Sequence, residues 1–186
     1  RVEDQVLLTG SGKFTDDINI GEGLFVHFLR SIHAHANLKL VNSEEASKLD
    51  GVHLIATQRT LDEEKIGEIH CLDTVKNFDG TDVSTITRPP MARDKVRSVG
   101  DIVAMVVADT KEQALNAAEM ILIDYEPLPA VIDIRAALAP DAPQLYYNYP
   151  DNKVFHWRAG NHEETLREFD KANLNDDKII ELSVLN

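Results

Sequence analysis

A strand, a capped helix and a returning strand follow one another in the middle of this chain, and they constrain its fold most. Residues 102–108 are apolar at every position, which is typical of a β-strand covered on both faces. Thr110 stands where a helix N-cap is expected, and Gln113 follows three residues later, as in a capping box. A strand over 121–125 is then predicted to end before Pro127. The helix between them is predicted from apolar residues at helical spacing: Ala114, Leu115, Ala118 and Leu122.

Short strands and short helices alternate along the first half of the chain, and the strands are too few for a doubly wound sheet. This pattern predicts a compact α+β domain with small sheets and short helices packed on them. The predicted elements are an irregular arm over 1–21, a strand over 24–30, a helix over 43–49 with Ser43 as N-cap, a strand over 52–57, a helical turn over 61–66 and a polar excursion over 67–88.

The composition changes beyond residue 134, where prolines surround three tyrosines. Tyr146, Tyr147 and Tyr149 are candidate interface residues, because a tyrosine ring supplies apolar area while its hydroxyl stays hydrogen-bonded. Equally, the rings could cover this domain's own core. An amphipathic helix is predicted over 162–172, and a final strand over 178–185.

The central segment is also familiar as a sequence. VGDIVAMVVADTKEQALNAAEMILIDYEPLPAVID, residues 99–133, resembles the signature of the α/β-hammerhead domain in the molybdenum-containing large subunits of the xanthine dehydrogenase, aldehyde oxidase and aerobic carbon monoxide dehydrogenase family. Further segments resemble the family in the same order: RVEDQVLLTGSGKFTDDI at 1–18, GLFVHFLRSIHAHANLKL at 23–40, KLDGVHLIAT at 48–57 and DDKIIELSVLN at 176–186.

The resemblance implies an α/β-hammerhead domain over residues 1–139. Residues 140–186 would then be a linker, a helix and the first strand leading into a molybdopterin-binding domain that this chain lacks. Members of the family hydroxylate an aldehyde, an N-heterocycle or carbon monoxide with oxygen from water. The resemblance places no catalytic, cofactor-binding or metal-binding residue in this chain. It implies a molybdopterin-type molybdenum cofactor in the full subunit, and iron–sulfur clusters, with FAD a further candidate, in partner subunits or domains.

The charge balance excludes several classes of partner. The chain carries 19 basic and 32 acidic residues, a net charge of −13, which repels nucleic acid and anionic membrane surfaces. No apolar run approaches the roughly 20 residues that a membrane span needs, and no signal peptide is evident. We therefore expect a cytoplasmic protein. Since the sequence begins with Arg1 and not with a methionine, removal of an upstream segment is kept as an alternative.

Four more residues are candidates for contact with a partner domain. Arg30, His33 and His35 lie in an Arg-Ser-x-His-Ala-His-Ala segment that resembles one in the family, where it binds no metal. Two histidines two apart on a strand would share a face, but two imidazoles alone make a weak metal site. Gly100 precedes the apolar strand, so a positive φ in a turn, or a close approach by another chain, would explain it.

Other local patterns fail as chemical motifs. A phosphate-binding loop ending at Lys13 would need glycine at Leu7 and a hydroxyl at Phe14, and a zinc-protease helix at His162 would need histidine at Leu166. The single cysteine, Cys71, is expected to be a partly buried thiol, and it cannot hold an iron–sulfur cluster by itself. Two alternatives therefore stand beside the family interpretation: a free-standing interaction domain of hammerhead fold, and a small hydrolase acting through Cys71 or Ser31.

Overall fold

The computed structural model describes residues 2–18, 21–72, 75–83, 86–157 and 159–172, with only the backbone of Asp16. The chain divides into two compact units: residues 1–72 with 85–153, and residues 73–84 with 154–186. The predicted strand over 178–185 lies outside the described residues. A domain boundary at residue 139 stays a prediction.

Six strands and five α-helices make up the described chain. The strands are β1 (Phe25–Arg30), β2 (Ala36–Asn42), β3 (Val52–Thr57), β4 (Lys95–Val96), β5 (Ile102–Ala108) and β6 (Leu122–Pro127). The helices are α1 (Asp4–Leu8), α2 (Gln58–Glu63), α3 (Lys111–Glu119), α4 (Ile134–Ala137) and α5 (His162–Lys171), and short 3-10 turns span Thr15–Asp17 and Ala46–Lys48. No helix within the described ranges is long and apolar enough to cross a membrane.

The predicted apolar strand is confirmed as the centre of the first sheet. β5 pairs antiparallel with β1 on one side and with β3 on the other. Val106 lies opposite His27 of β1 and Ile55 of β3, which fixes the register. Because β5 has a neighbour on both sides, its backbone groups are hydrogen-bonded along both edges. Its uncharged side chains are typical of such a central strand.

Helix α3 covers one face of this sheet, and its predicted cap is confirmed. The Thr110 hydroxyl accepts a hydrogen bond from the backbone N–H of Gln113 at 3.1 Å. The helix ends at Glu119, so the assignment of Leu122 to the helical pattern was wrong: Leu122 lies in β6, and Leu115 is 41% exposed. The contact is made mainly by small side chains, which let helix and sheet approach closely. The buried alanines are Ala46, Ala104, Ala108, Ala114, Ala117 and Ala118.

A second antiparallel sheet, in the order β4-β2-β6, lies in the same unit. Its buried residues Ala36 and Val96 pack with Val103 of β5. Partly buried Val41 and Ile123 contact both this cluster and the buried residues between α3 and the first sheet. The two clusters therefore form one continuous core.

The opposite side of the first sheet, which we call the outer face, is apolar and partly open. The register brings Met105 beside Phe28 and Ala56, and Val107 beside Val26 and Leu54. Val26 is 50% exposed, Phe28 42% and Leu54 44%. β5 itself has no exposed residue, since Met105 and Val107 on this side are half-buried, so the expectation of a strand covered on both faces holds for β5, while β1 and β3 leave this face partly open. The outer face consists of Val26, Phe28, Leu54, Ala56, Met105 and Val107.

Three local predictions need correction. The arm over 1–21 contains α1 and a 3-10 turn, where the Asp17 carboxylate accepts the Phe14 N–H at 2.9 Å. Ser43 is not an N-cap, because only a 3-10 turn forms there and Glu45 precedes it. The helical turn predicted over 61–66 begins earlier, at Gln58, directly after β3.

In the second unit, the predicted amphipathic helix is confirmed as α5. The Asn161 side chain caps it by accepting the Glu164 N–H at 3.1 Å. Leu166 and Phe169 are 51% and 54% exposed on it.

Candidate interface

Arg30 and Gly100 meet at one end of the first sheet. The Arg30 Nη1 donates to the Gly100 carbonyl at 2.8 Å, and the Gly100 N–H donates to the Ser31 carbonyl at 2.8 Å. Gly100 has a φ of 91°, and a Cβ placed there would meet no atom within 4 Å. The left-handed backbone, and not a close approach within this chain, therefore explains the glycine. Contact of either residue with another subunit stays a prediction.

The sequence pattern placed the two histidines of the Arg-Ser-x-His-Ala-His-Ala segment on a strand, and this prediction was wrong. They lie in the irregular corner between β1 and β2, and their surroundings differ. The His33 ring packs against the Tyr125 ring with centroids 4.8 Å apart. His35 is only 5% exposed, and its Nδ1 is 2.7 Å from the Pro129 carbonyl. Since a carbonyl only accepts, Nδ1 must carry the proton, and His35 serves to fasten the chain after β6.

The structure gives no support to metal or hydrolase chemistry at this corner. Among the described residues, no three His, Cys, Asp or Glu side chains are placed to hold a metal ion. The Ser31 hydroxyl is 3.0 Å from both the N–H and the carbonyl of His33, so it closes a local turn. Burial raises the pKa of Tyr125, and a hydrogen bond with Ser31 partly opposes that shift. Cys71 is exposed, contrary to the expectation of partial burial.

The three tyrosines have different environments. Tyr146 lies under the Arg97 guanidinium, 4.6 Å from ring centroid to Cζ, and it meets Tyr149 edge to face at 6.4 Å. Tyr149 is 9% exposed, whereas Tyr147 is 93% exposed. Tyr146 and Tyr149 therefore pack within the first unit. Of the three, Tyr147 is the one available to a partner.

Residues 145–149, which we call the tyrosine segment, are held in place by two residues that the sequence analysis did not predict. The Arg97 Nε donates to the Leu145 carbonyl at 2.8 Å, in addition to the stacking on Tyr146. Asn152, with a φ of 54°, accepts the Leu145 N–H at 3.0 Å through Oδ1. Its Nδ2 donates to the Ala137 and Pro143 carbonyls. The available signal for Asn152 was an asparagine in a proline-rich stretch, because asparagine tolerates a left-handed backbone.

A cleft of about 250 Å³ opens beside the tyrosine segment. Its walls combine apolar and cationic side chains, and Asp101 contributes the acidic group. The Asp101 Oδ2 accepts hydrogen bonds from the backbone N–H groups of Arg97 and Ser98. Its Oδ1 accepts one from the Ser98 hydroxyl at 2.6 Å. The lining includes Arg88, Met91, Lys95, Arg97, Ile102 and Tyr146.

A second charged cluster also escaped the sequence analysis. The Arg93 guanidinium binds both Asp62 oxygens, at 3.0 and 2.9 Å, and the Glu68 carboxylate at 3.0 Å. Hydrogen bonds from Arg93 and then Gln58 lower the pKa of Asp62 to about 2. Hydrogen bonds from Thr87 and then Arg93 lower the pKa of Glu68. This cluster ties α2 and the nearby Glu68 to Arg93, which lies 31 positions from Asp62.

The described geometry defines a small two-sheet α+β domain without a catalytic cluster at the candidate residues. The chain belongs to the family of the α/β-hammerhead domain of aldehyde oxidase and xanthine dehydrogenase, whose model matches residues 9–129. The expected hammerhead fold is thereby confirmed.

Among the relatives with similar sequences are the large chain or large subunit of two enzymes. The chain is 34% identical to the carbon monoxide dehydrogenase large chain of Afipia carboxidovorans, over 94% of this chain and 22% of that protein. It is 33% identical to the nicotine 6-hydroxylase large subunit of Paenarthrobacter nicotinovorans, over 86% of this chain and 19% of that protein. A solved Cu,Mo-CO dehydrogenase matches with a TM-score of 0.67 and 32% identity, over 94% of this chain and 22% of that one. The chain thus spans about a fifth of these relatives' length.

Proposed function

We propose that this chain is the structural and interface domain of a molybdenum hydroxylase large subunit, which packs against molybdopterin-binding domains of the same subunit. The observation that carries the proposal is the outer face, which is apolar and exposes Val26, Phe28 and Leu54 in a chain that belongs to the hammerhead family. Open apolar patches of this kind mark protein contacts. The iron–sulfur subunit or domain, and an FAD subunit where one exists, are the further proposed partners.

The molybdenum cofactor does not fit the described residues. They bring no three potential metal ligands together. The buried polar atoms without a partner in the described part are His35 Nε2 and Gln113 Oε1, which lie on separate elements and outline no cradle. The described residues therefore supply no ligand set for the molybdenum cofactor. The rest of the subunit would hold the cofactor and would act on an aldehyde, an N-heterocycle or carbon monoxide in the cytoplasm.

The test compares two substitutions in the complete large subunit and in this chain alone. Phe28→Asp places a charge on the outer face, and Leu40→Asp is the matched control on the second sheet, where Leu40 is 56% exposed. In the complete subunit, Phe28→Asp should abolish soluble assembly, while Leu40→Asp should leave it intact. In this chain alone, both should melt within a few degrees of the parent.

Two outcomes would contradict the proposal. A complete Phe28→Asp subunit that assembles normally would show that the outer face is not the contact. A natural polypeptide of about this chain's own mass, 20.8 kDa, would favour the alternative of a free-standing interaction domain.

A further inference from the structure

Three cationic side chains surround the cleft beside the tyrosine segment. Arg88, Lys95 and Arg97 all line it, and none of them forms an ion pair with a carboxylate in the described part of the chain. Elsewhere in this acidic chain, cations such as Arg93 are held between two carboxylates. The cleft is therefore a place where positive charge collects and is only partly compensated.

The one acidic residue among the described residues that line the cleft, Asp101, does not neutralise the positive charge of the three cations. The Asp101 carboxylate accepts hydrogen bonds from the backbone N–H groups of Arg97 and Ser98 and from the Ser98 hydroxyl, and not from a cationic side chain described in the cleft. Three cations and one carboxylate leave the lining with two net positive charges. Like charges close together repel, and an anion that enters between them removes that repulsion.

Arg97 is already oriented for such an anion. Its plane rests on Tyr146, its Nε donates to Leu145, and its Nη1 donates to the Lys95 carbonyl at 3.3 Å. Its Nη2 makes no hydrogen bond to the described residues. A guanidinium fixed in this way loses little side-chain entropy when it binds an oxyanion, and its planar fork suits carboxylate and phosphate.

The remaining walls are apolar: Pro89, Pro90, Met91, Ile102 and the Tyr146 ring. The volume, about 250 Å³, is slightly below the range of roughly 300–1,000 Å³ typical of small-molecule sites. We infer that the cleft is a binding site for a carboxylate or phosphate carried on a small flat or apolar body. Such a group can come from a free small molecule or from an acidic side chain beside an aromatic one in a neighbouring protein segment.

The experiment titrates the ¹⁵N-labelled chain at constant ionic strength and follows the amide signals. Benzoate and phenyl phosphate represent the free anion. The dipeptide acetyl-Phe-Glu-amide represents a protein segment, and acetyl-Phe-Gln-amide is its uncharged control. We expect saturable shifts at the amides of Lys95, Arg97, Ser98 and Tyr146. Tighter binding of phenyl phosphate or benzoate than of the dipeptide would identify a small-molecule site, and the reverse order would identify a docking site for an acidic segment.

Variants decide whether the cations cause the binding. Arg88→Gln and Lys95→Gln remove charges whose side chains make no hydrogen bond to the described residues, so the fold should persist. Each should weaken binding at least tenfold. The matched control is Lys111→Gln, an exposed cation without an ion pair among the described residues, which should change nothing. Unchanged affinity in Lys95→Gln, absence of shifts at the cleft amides, or equal shifts at Lys111 would each overturn the inference.

Discussion

Gln58 and Met91 are 33 positions apart, and the Oε1 of Gln58 accepts the backbone N–H of Met91 at 3.0 Å. Gln58 is 1% exposed, and its Nε2 donates to Asp62 at 2.8 Å. A buried glutamine with both ends bonded joins the start of α2 to the segment that leads into β4. It thereby positions Met91, which lines the cleft beside the tyrosine segment.

Replacing Gln58 by the near-isosteric methionine should therefore destabilise the domain. The Met91 N–H would stay buried without a partner, which costs about 1–3 kcal/mol. Chemical denaturation followed by circular dichroism would measure the loss. Arg59→Met, on the same helix, is the control, because the Arg59 side chain is 87% exposed. Equal effects of both substitutions would show that the Gln58 bond is not important for stability.

Aspartate substitutions should distinguish the two faces of the first sheet. Val103 and Val106 are fully buried, so Val103→Asp or Val106→Asp would place an unpaired carboxylate in the core and should prevent folding. Val26→Asp, on the 50% exposed outer face, should leave a folded chain. Thermal melts of the three variants check this. A core variant that melts near the parent temperature would contradict the central position of β5.

Gly100→Ala should cost about 1–2 kcal/mol in this chain, because an L-residue is strained at a φ of 91°. The cost should be purely conformational, since no atom lies near the added Cβ. Gly51→Ala is the comparison: its φ is 77°, and its Cβ would come within 2.3 Å of the Gln113 side chain. Denaturation should therefore rank Gly51→Ala as at least as damaging, and the reverse order would be inconsistent with this geometry.

The Arg93 cluster should show itself in a pH titration. The folded pKa of Asp62 is about 2, below its ordinary value of 3.8. Its contribution to stability is therefore present above pH 4 and disappears as the pH falls from about 4 to 2. Carbon-13 NMR of the Asp62 carboxyl would measure the pKa directly, and Arg93→Gln should raise it towards 3.8. An unchanged pKa in that variant would assign the shift to Gln58 instead.

We expect this chain, purified alone, to contain no stoichiometric molybdenum and to reduce no artificial electron acceptor with an aldehyde or a purine. The reason is that the described residues bring no metal-binding cluster together. Elemental analysis measures the metal content. About one molybdenum per chain would show that the cofactor is held here after all.

The sequence predicted best where the signal was local. Thr110 was correctly identified as the cap of α3, since its hydroxyl accepts the backbone N–H of Gln113. The other half of the expected capping box does not form, because the Gln113 Oε1 has no partner among the described residues. β2 was missed although its residues alternate between apolar and polar over 36–40. The bulge between Leu38 and Leu40 is a feature of its pairing with β6, which sequence spacing does not show. The end of β6 was predicted too early, since Pro127 lies in an edge strand, where the missing N–H is tolerated.

The candidate interface was harder to predict, because its contacts join distant positions. Spacing cannot reveal that Arg97 stacks on Tyr146, or that His35 bonds Pro129 across 94 positions. Composition identified the tyrosines as a group, but packing alone separates exposed Tyr147 from buried Tyr149. Burial of a side chain depends on what covers it, and that is decided by the tertiary fold.

The central place of β5 in the first sheet also governs the order in which the chain can fold. β1 and β3 do not pair with each other, and both pair with β5. During synthesis, therefore, the two earlier strands leave the ribosome without a partner, and their apolar residues stay exposed until Ala108 has emerged. Sheet formation then depends on long-range pairing, which is slow and open to aggregation. Translation rate and chaperone supply should accordingly affect the soluble yield of this domain more than its equilibrium stability would suggest.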